Sequence, residues 1–358
     1  MDALRTKRRI SCLPLILLIW LVSSCASSEF MQRDFFEEDT GASLQWPPSP
    51  QEPRILYTGA IKDPDQKVTD SSWVKQIMRG VFGSEKDIST MLRPYGVFAG
   101  TDKAYVTDPG SGRLHIYDMG KEGYYSVQRA GEDDLISPIG ITVDGSGNIY
   151  VADSVLKQVF IFDREGKYLR AFGSATMFQR PAGIALGDNR LYVVDTHGHK
   201  IFVLSQVDGS LLFSFGKQGT EPGNFNYPTN IFVNREKLIY VTDSMNFRVQ
   251  IFKPDGSFLT TFGKLGDGSG NFSKPKGIAV DSEGHIYVVD SHFDNVQVFD
   301  IQGNLLLVFG SSGNGRGEFT LPSGIFIDSS DRIYVADSYN NRIQVFQYLK
   351  EKKDVNKQ

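Results

Sequence analysis

Cysteine is almost missing from this 358-residue chain: Cys12 and Cys25 are the two it has. Everything from Ala26 onward is free of it, which excludes an intrachain disulfide, a cysteine-based zinc site and a cysteine nucleophile in that part. A domain without such staples is held by its own core, and about 300 residues are ample for one. Histidine is scarce too, with His115, His197, His199, His285 and His292 making up the total of five. A zinc site needs three or four convergent ligands; His197 and His199 lie two apart in "THGHK" and His292 holds in the fifth repeat the place of His197 in the third. Those two repeats are not neighbours, so exposed turn histidines are the expectation. The apolar run from Leu13 to Val22 is too short to span a bilayer comfortably.

Arg5, Lys7, Arg8 and Arg9 precede that run, and "VSSC" closes it at Cys25. A basic start, a short apolar segment and small residues before a cysteine resemble a bacterial lipoprotein signal over residues 1–24, with cleavage before Cys25 and the lipid on its thiol. An ordinary secretory signal, or an uncleaved anchor with Cys25 incidental, is the alternative. The resemblance implies an exported protein attached to a membrane through Cys25. Ala26 is not the Asp that keeps Gram-negative lipoproteins at the inner membrane, so it implies the outer membrane and periplasm there, and the cell surface otherwise.

An excess of positive charge is also missing. Removing residues 1–24 takes four basic side chains and Asp2 from totals of 38 Lys+Arg and 42 Asp+Glu, leaving 34 against 41, a formal charge of −7. Nucleic acid is therefore not an expected partner, because phosphate binding needs a concentrated basic surface.

Residues 25–53 are polar and then rich in Ser and Pro with no sustained period, which predicts a flexible tether with a typical end-to-end distance of roughly 30 Å. Residues 351–358 form a charged tail. Between them the chain repeats itself. "AYVTDPGSGRLHIY", "IYVADSVLKQVFIF", "LYVVDTHGHKIFVL", "IYVTDSMNFRVQIF", "IYVVDSHFDNVQVF" and "IYVADSYNNRIQVF" are six copies of strand, acidic turn and strand. Each follows a proline-led run: "RPYGVFAG", "SPIGITVD", "RPAGIALG", "YPTNIFVN", "KPKGIAVD" and "LPSGIFID". The prolines, Pro94, Pro138, Pro181, Pro228, Pro275 and Pro322, are spaced 44, 43, 47, 47 and 47. Units also end in an apolar run and a glycine, as in "YLRAFG" and "LLLVFG". Four short β runs per unit, apolar at nearly every position, predict antiparallel sheets covered on both faces.

Such units stacked face on face give an all-β, six-bladed propeller over residues 54–350. The sixth unit stops after its third strand, and "RILYTGA", Arg54 to Ala60, has the character of a fourth. The prediction is that it pairs with Ile343–Phe346 and closes the ring without a free edge. Trp73, Ile77, Met78, Val81 and Phe82 fall at helical spacing within residues 70–83, which predicts one short helix before the first repeat, buried against the propeller or binding a partner.

The units resemble the NHL-repeat family, whose repeat runs roughly Pro-x-Gly-Ile-Ala-Val-Asp, Ile-Tyr-Val-Ala-Asp, Arg-Ile-Gln-Val-Phe; the match extends from about Arg54 to Phe346. The helix pattern and "RPYGVF" further resemble bacterial lipid-anchored members. The family includes RNA-binding domains, a metal-dependent amidating lyase and interaction platforms, so the fold alone decides no function. The lyase's zinc histidines directly follow the blade prolines. Here those places hold Tyr95, Ile139, Ala182, Thr229, Lys276 and Ser323, none a suitable ligand. Lactonase-type propellers use a Glu, Asn and Asp cluster around calcium; Asn230, where other units have glycine, is the one hint of it.

The repeated acids, Asp108, Asp153, Asp195, Asp243, Asp290 and Asp337, invite a metal-ring reading. Each closes a strand and opens a turn, where an Asp side chain accepts nearby backbone N–H groups, so a structural role is expected of all six. The glycine-rich "GKQGTEPGNF", "GKLGDGSGNF" and "GSSGNGRGEF" lack the helix that would hold a phosphate and read as connectors anchored by Phe225, Phe272 and Phe319. Strand topology puts the residues after the prolines and the turns after each Asp on one side of the disc. Its expected occupants are Tyr95, Tyr227, Lys276, His197, His199, Met245, Phe247, His292, Phe293, Tyr339 and Asn340. Aromatic, Met and His side chains in turns suit a protein- or peptide-binding surface, unless Phe247, Phe293 and Tyr339 tuck between blades. The sequence thus predicts a monomeric, non-enzymatic binding scaffold without a cofactor or metal, the alternative being a metal-dependent hydrolase or lyase at the central channel.

Overall fold

The computed structural model describes residues 31–32, 35–62, 91–121 and 123–350. Cys25, the signal, the expected helix over 70–83 and the charged tail lie outside them. Six antiparallel sheets follow one another along the chain. Blade 1 comprises Gly96–Ala99, Lys103–Asp108, Arg113–Asp118 and Gly123–Val127. Blade 2 begins at Pro138–Val143 and ends at Tyr168–Phe172. Blade 3 runs from Pro181–Gly187 to Leu211–Phe215, and blade 4 from Pro228–Val233 to Phe258–Phe262. Blade 5 runs from Pro275–Val280 to Leu305–Phe309. Blade 6 starts with Ile325–Ile327, Arg332–Asp337 and Arg342–Tyr348.

Its fourth strand is Ile55–Ile61, antiparallel to Arg342–Tyr348 with Ile343 opposite Ile61, Gln344 opposite Ala60 and Phe346 opposite Tyr57. The two ends of the ring are knitted together as the repeat count requires. Closure is visible in the cores as well. The middle strands are buried on both faces, as in Ile286–Asp290, and their apolar residues form six clusters, one at each boundary between neighbouring sheets. The cluster joining blade 6 to blade 1 holds Tyr334, Ile343 and Ile61 against Val97, Val106 and Tyr117. Fully burying each such side chain contributes about 1.5–3 kcal/mol, so no blade is stable without its neighbours.

The repeat tyrosine, Tyr150, Tyr192, Tyr240, Tyr287 or Tyr334, is among the largest fully buried side chains. Its ring fills a boundary, and in four of the five the hydroxyl meets the loop between the first two strands: Tyr287 donates to Asp281 at 3.1 Å, Tyr150 to Asp144 at 3.3 Å and Tyr334 to Asp328 at 3.4 Å, while Tyr240 accepts Asn234 Nδ2 at 3.1 Å. A buried ring with a satisfied hydroxyl explains why Tyr rather than Phe stands there.

The expected tether is corrected over its later part. Phe36–Glu38 pairs with Ile55–Ile61 on its outer side, Phe36 opposite Ile61, and Gln45–Trp46 pairs with Leu56 and Ile55. Met31–Gln32 adds to the outer strand of blade 1, with Met31 opposite Tyr124. Aromatic anchors are the reason. Phe35 is buried, its ring 5.1 Å from that of Tyr117. Trp46 packs 5.9 Å from Phe309 and 5.8 Å from Phe346. Asp39 is ion-paired to Arg316. Scattered aromatics without a period carry no secondary-structure signal, so only a preformed sheet edge reveals what they do.

Candidate binding face and axial channel

The repeated acid of every blade is fully buried. Asp290 accepts N–H groups from His292 at 3.0 Å and Phe293 at 3.3 Å in the turn it opens. It also accepts Ser273 at 2.7 Å and Lys274 at 3.0 Å, in the connector that leads into the same blade's first strand. Asp108 takes Leu92 and Arg93 in the same manner, Asp153 takes Ile136 and Ser137, and Asp195 takes Gln179 and Arg180. In blades 4 and 6 the acid also meets side chains. Asp337 accepts Thr320 N at 2.8 Å, Asn340 Nδ2 at 2.9 Å, Arg342 Nε at 2.8 Å and Gln344 Nε2 at 2.9 Å. Asp243 is held alike by Asn226, Asn246, Arg248 and Gln250. These carboxylates rivet two loops of one blade to each other, and their lone pairs are occupied. The reach back to the connector is missed when only the local turn is considered; its signal is the constant interval of 15 to 17 residues between donor and acid. At Asp108 burial pushes the carboxyl up, but hydrogen bonds from His115 and Leu92 N outweigh it and hold the pKa at about 2.

The first strands converge on the axis so closely that a side chain is excluded at their third residue. A Cβ at Gly140 would lie 2.1 Å from Ala182 O, and one at Gly324 would lie 2.2 Å from Tyr95 O. Neighbouring first strands bond directly there: Gly277 N donates to Ser323 O at 3.0 Å and Gly324 N to Tyr95 O at 2.9 Å. Asn230 takes that position in blade 4 and turns its Oδ1 onto its own chain, accepting Ile231 N at 2.8 Å. Beyond this ring the axis opens into a cavity of about 220 Å³ walled by Phe98, Ile141, Val143, Leu186, Phe232 and Phe326. Its polar side chains are those of Tyr95, Thr142 and Asn230, and no ionisable carboxylate, imidazole or amine lines it. Among the described residues no group of three or more His, Cys, Asp or Glu is placed to hold a metal.

The connectors before the blade prolines and the turns after the acids share one side of the disc, here called the turn face. Tyr339, Met245, Tyr227 and His292 stand exposed on it. His292 and Phe293 have ring centres 5.7 Å apart. His197 and His199 flank Tyr227, with ring centres 5.7 and 4.7 Å away. Three expected occupants turn inward instead. His199 is buried, its Nδ1 accepting Tyr227 N at 3.2 Å. Phe247, at the left-handed position that ends the turn Ser244–Asn246, packs against the core between blades 4 and 5. Asn340 spends its amide on Asp337 and on Gly313 O. Turn geometry draws them in, since each closes a loop by burying a ring or an amide.

Tyr95 and Lys276 meet near the axis although they belong to blades 1 and 5, which are not adjacent: the Lys276 ammonium lies 5.8 Å from the Tyr95 ring centre. Burial lowers the Lys276 pKa to about 8, aided by the charge of Lys274. Burial pushes the Tyr95 phenol up to about 12, against the pull of Arg180 from blade 3. Arg180 Nη1 is 3.5 Å from His197 Nε2, and Arg93 lies 5.8 Å from the ring centre of Tyr339. Sequence reasoning passed over Arg93, Arg180 and Lys274, yet they were marked by one pattern, a cation directly before the proline of blades 1, 3 and 5.

A family model described as "6-bladed beta-propeller" matches residues 173–246, 235–294 and 282–353, which together cover just over half of the chain. "Protein brain tumor" of Drosophila melanogaster is 29% identical over 168 residues, 45% of this chain and 16% of that protein, so the chain spans about a sixth of the length of that relative. Among solved structures, virginiamycin B lyase from Staphylococcus aureus superposes with a TM-score of 0.54 at 15% identity, over 72% of this chain and 96% of that one. An auxiliary nutrient binding protein from Bacteroides ovatus gives 0.55 at 13% identity, over 73% and 70%. At such identities the likeness is one of fold.

Proposed function

This chain belongs to the 6-bladed beta-propeller family, and on that footing we propose that it is a non-enzymatic scaffold that binds a protein or peptide through its turn face. The observation that carries this reading is the contrast between that face and the channel. The turn face exposes Tyr227, Met245, His292 and Tyr339, beside Arg93 and Arg180, which meet no carboxylate among the described residues. A desolvatable aromatic surface with unspent charge is what a partner's anchors require. Among the described residues the channel lining carries no carboxylate, imidazole or amine, and the repeated acids are committed to backbone and side-chain donors. The existence of a structural neighbour described as an auxiliary nutrient binding protein is consistent with a scaffold role.

Attachment to a membrane through a lipid on Cys25, in an exported NHL-type monomer, belongs to the same proposal. It rests on the basic and apolar stretch before Cys25. Farther along, Phe36–Glu38 and Gln45–Trp46 pair with the wheel.

The test is photo-crosslinking in intact cells from position 339 on the turn face, with position 212 on the outer rim as the control. A protein adduct at 339 that disappears on changing His292 and Phe293 to Ala supports the reading. Adducts only from the rim, or adducts at 339 indifferent to those changes, remove this face from consideration.

A further inference from the structure

Lys276 is a cation without an answer. Its backbone is fixed by the inner ring, where Gly277 N bonds Ser323 O and Lys276 O accepts Thr229 Oγ1 at 3.4 Å. Its ammonium meets the Tyr95 ring and no carboxylate among the described residues. The Tyr95 hydroxyl likewise has no hydrogen-bond partner among them. The acids that would ordinarily neutralise such a site are the repeated Asp residues, and each is already committed to its own loops. Of the other acids on this face, Asp294 accepts Leu321 N at 2.7 Å, Glu318 accepts Gly315 N at 2.8 Å, and those of the remaining connectors, such as Glu221 and Asp267, are not among the groups that meet Lys276. The charge of Arg180 reaches Tyr95 and that of Lys274 reaches Lys276, and Arg93 lies on the same face against Tyr339, in a chain whose overall formal charge is −4. A local concentration of cations that meet no carboxylate among the described residues, against the sign of the whole molecule, focuses anions onto one spot. A half-buried ammonium beside a phenol is the donor pair that a carboxylate accepts most strongly, because the charge-assisted bonds form away from bulk water.

We propose that the axial mouth of the turn face is a carboxylate receptor: an acidic residue of a bound peptide sits between the Lys276 ammonium and the Tyr95 hydroxyl, with Arg93, Arg180 and Lys274 drawing in the acidic residues beside it. The inference rests on the turn face being the binding surface and adds the chemistry of what binds. Neighbouring first strands bond to each other around the axis at Gly277 and Gly324, which fixes the backbone on which Lys276 and Tyr95 stand.

The test uses the full-length protein and three probes: hexaglutamate blocked at both ends, hexaglutamine with a free C-terminus, and hexauridylate. Titration calorimetry is expected to give a salt-dependent Kd for hexaglutamate that rises at least tenfold in Lys276→Met, which keeps the aliphatic stem and loses the charge, and less in Lys276→Arg. Hexaglutamine measures what a terminal carboxylate alone contributes, and is expected to bind more weakly than hexaglutamate. Trace acetylation of Lys276 near pH 8 is expected to slow severalfold when hexaglutamate is bound. Equal affinity in Lys276→Met, unprotected acetylation, or no binding of hexaglutamate would overturn the proposal, as would a hexauridylate that binds more tightly in a Lys276-dependent way. If Lys276→Met changes nothing while crosslinks from position 339 persist, the receptor falls and the binding face stands. If the crosslinks are lost too, both fall.

Discussion

The two faces of the wheel are built from the same device and use it differently. On the turn face an aspartate accepts N–H groups from its own turn and from a connector 15 to 17 residues earlier. On the opposite face Asp144 bonds Ser146 N and Asn148 N, both at 2.9 Å, and Asp328 bonds Ser330 N and Arg332 N. There the backbone donors lie two to four residues away, although Asp144 also accepts the Tyr150 hydroxyl at 3.3 Å and Gln206 Nε2 at 3.5 Å. The first kind of contact ties a connector to a turn in a dry place, whereas the second chiefly shapes a half-buried hairpin. One lesson is that identical residues in identical-looking turns carry different energies according to what lies within reach. Another concerns charge: the repeated acids of the turn face are consumed in architecture, and Lys276 beside them meets no carboxylate among the described residues.

The largest expected difference between the faces comes from removing one acid from each. Asp337→Ala leaves the Arg342 guanidinium, itself buried, without its counter-ion, and is expected to cost about 3–5 kcal/mol. Asp144→Ala gives up hydrogen bonds in a half-buried loop and is expected to cost about 1 kcal/mol. Urea denaturation of both variants measures the gap, and equal losses would erase the distinction drawn here. Next come the glycines. Gly140→Ala puts a methyl group into the backbone of the next blade and is expected to cost at least about 1–3 kcal/mol. Gly145→Ala meets nothing within 4 Å, so its melting temperature should match that of the parent.

Two titrating groups, Asp108 on the turn face and His285 on the other, should differ in sign. The Asp108 carboxyl is held at about 2, below its unfolded value, so its contribution is present above the unfolded pKa and is lost as pH falls through the folded one. Asp108→Asn is therefore expected to flatten the acid limb of stability between roughly pH 4 and pH 2. On the other face the hydrogen bond from His285 Nδ1 to Asp281, at 2.8 Å, raises the imidazole above its ordinary value. That contribution is complete below the unfolded pKa and is lost as pH rises through the folded one. His285→Gln should flatten the slope just above pH 6.5 and leave the acid limb intact, as denaturation at stepped pH would show. The smallest effect belongs to neither face: Leu212, 49% exposed on the rim, should change stability by less than about 0.5 kcal/mol when made Ser.

Much of the wheel was legible in the residues because its rules are local. A proline, a glycine two residues on and a run such as "IYVVD" announce an inner strand and a doubly covered one, and a missing fourth strand at Phe346 calls for a partner upstream, met by Tyr57. The segment around Phe35 and Trp46 was read as a tether, since its aromatics acquire meaning only against an edge that the rest of the chain creates. Of the residues expected on the turn face, His199, Phe247 and Asn340 were counted as exposed although loop closure draws them in.

The repeat, its period and its alternation of apolar runs and turns determined by themselves that this chain forms stacked four-stranded sheets, because strand and turn formation depend on neighbours a few residues apart. Which side chains are left over once those sheets close on themselves was decided by tertiary structure alone. Lys276 and Tyr95 are 181 residues apart in the chain and 5.8 Å apart across the axis, and only the closing of the ring brings a cation, a phenol and spent carboxylates to one place.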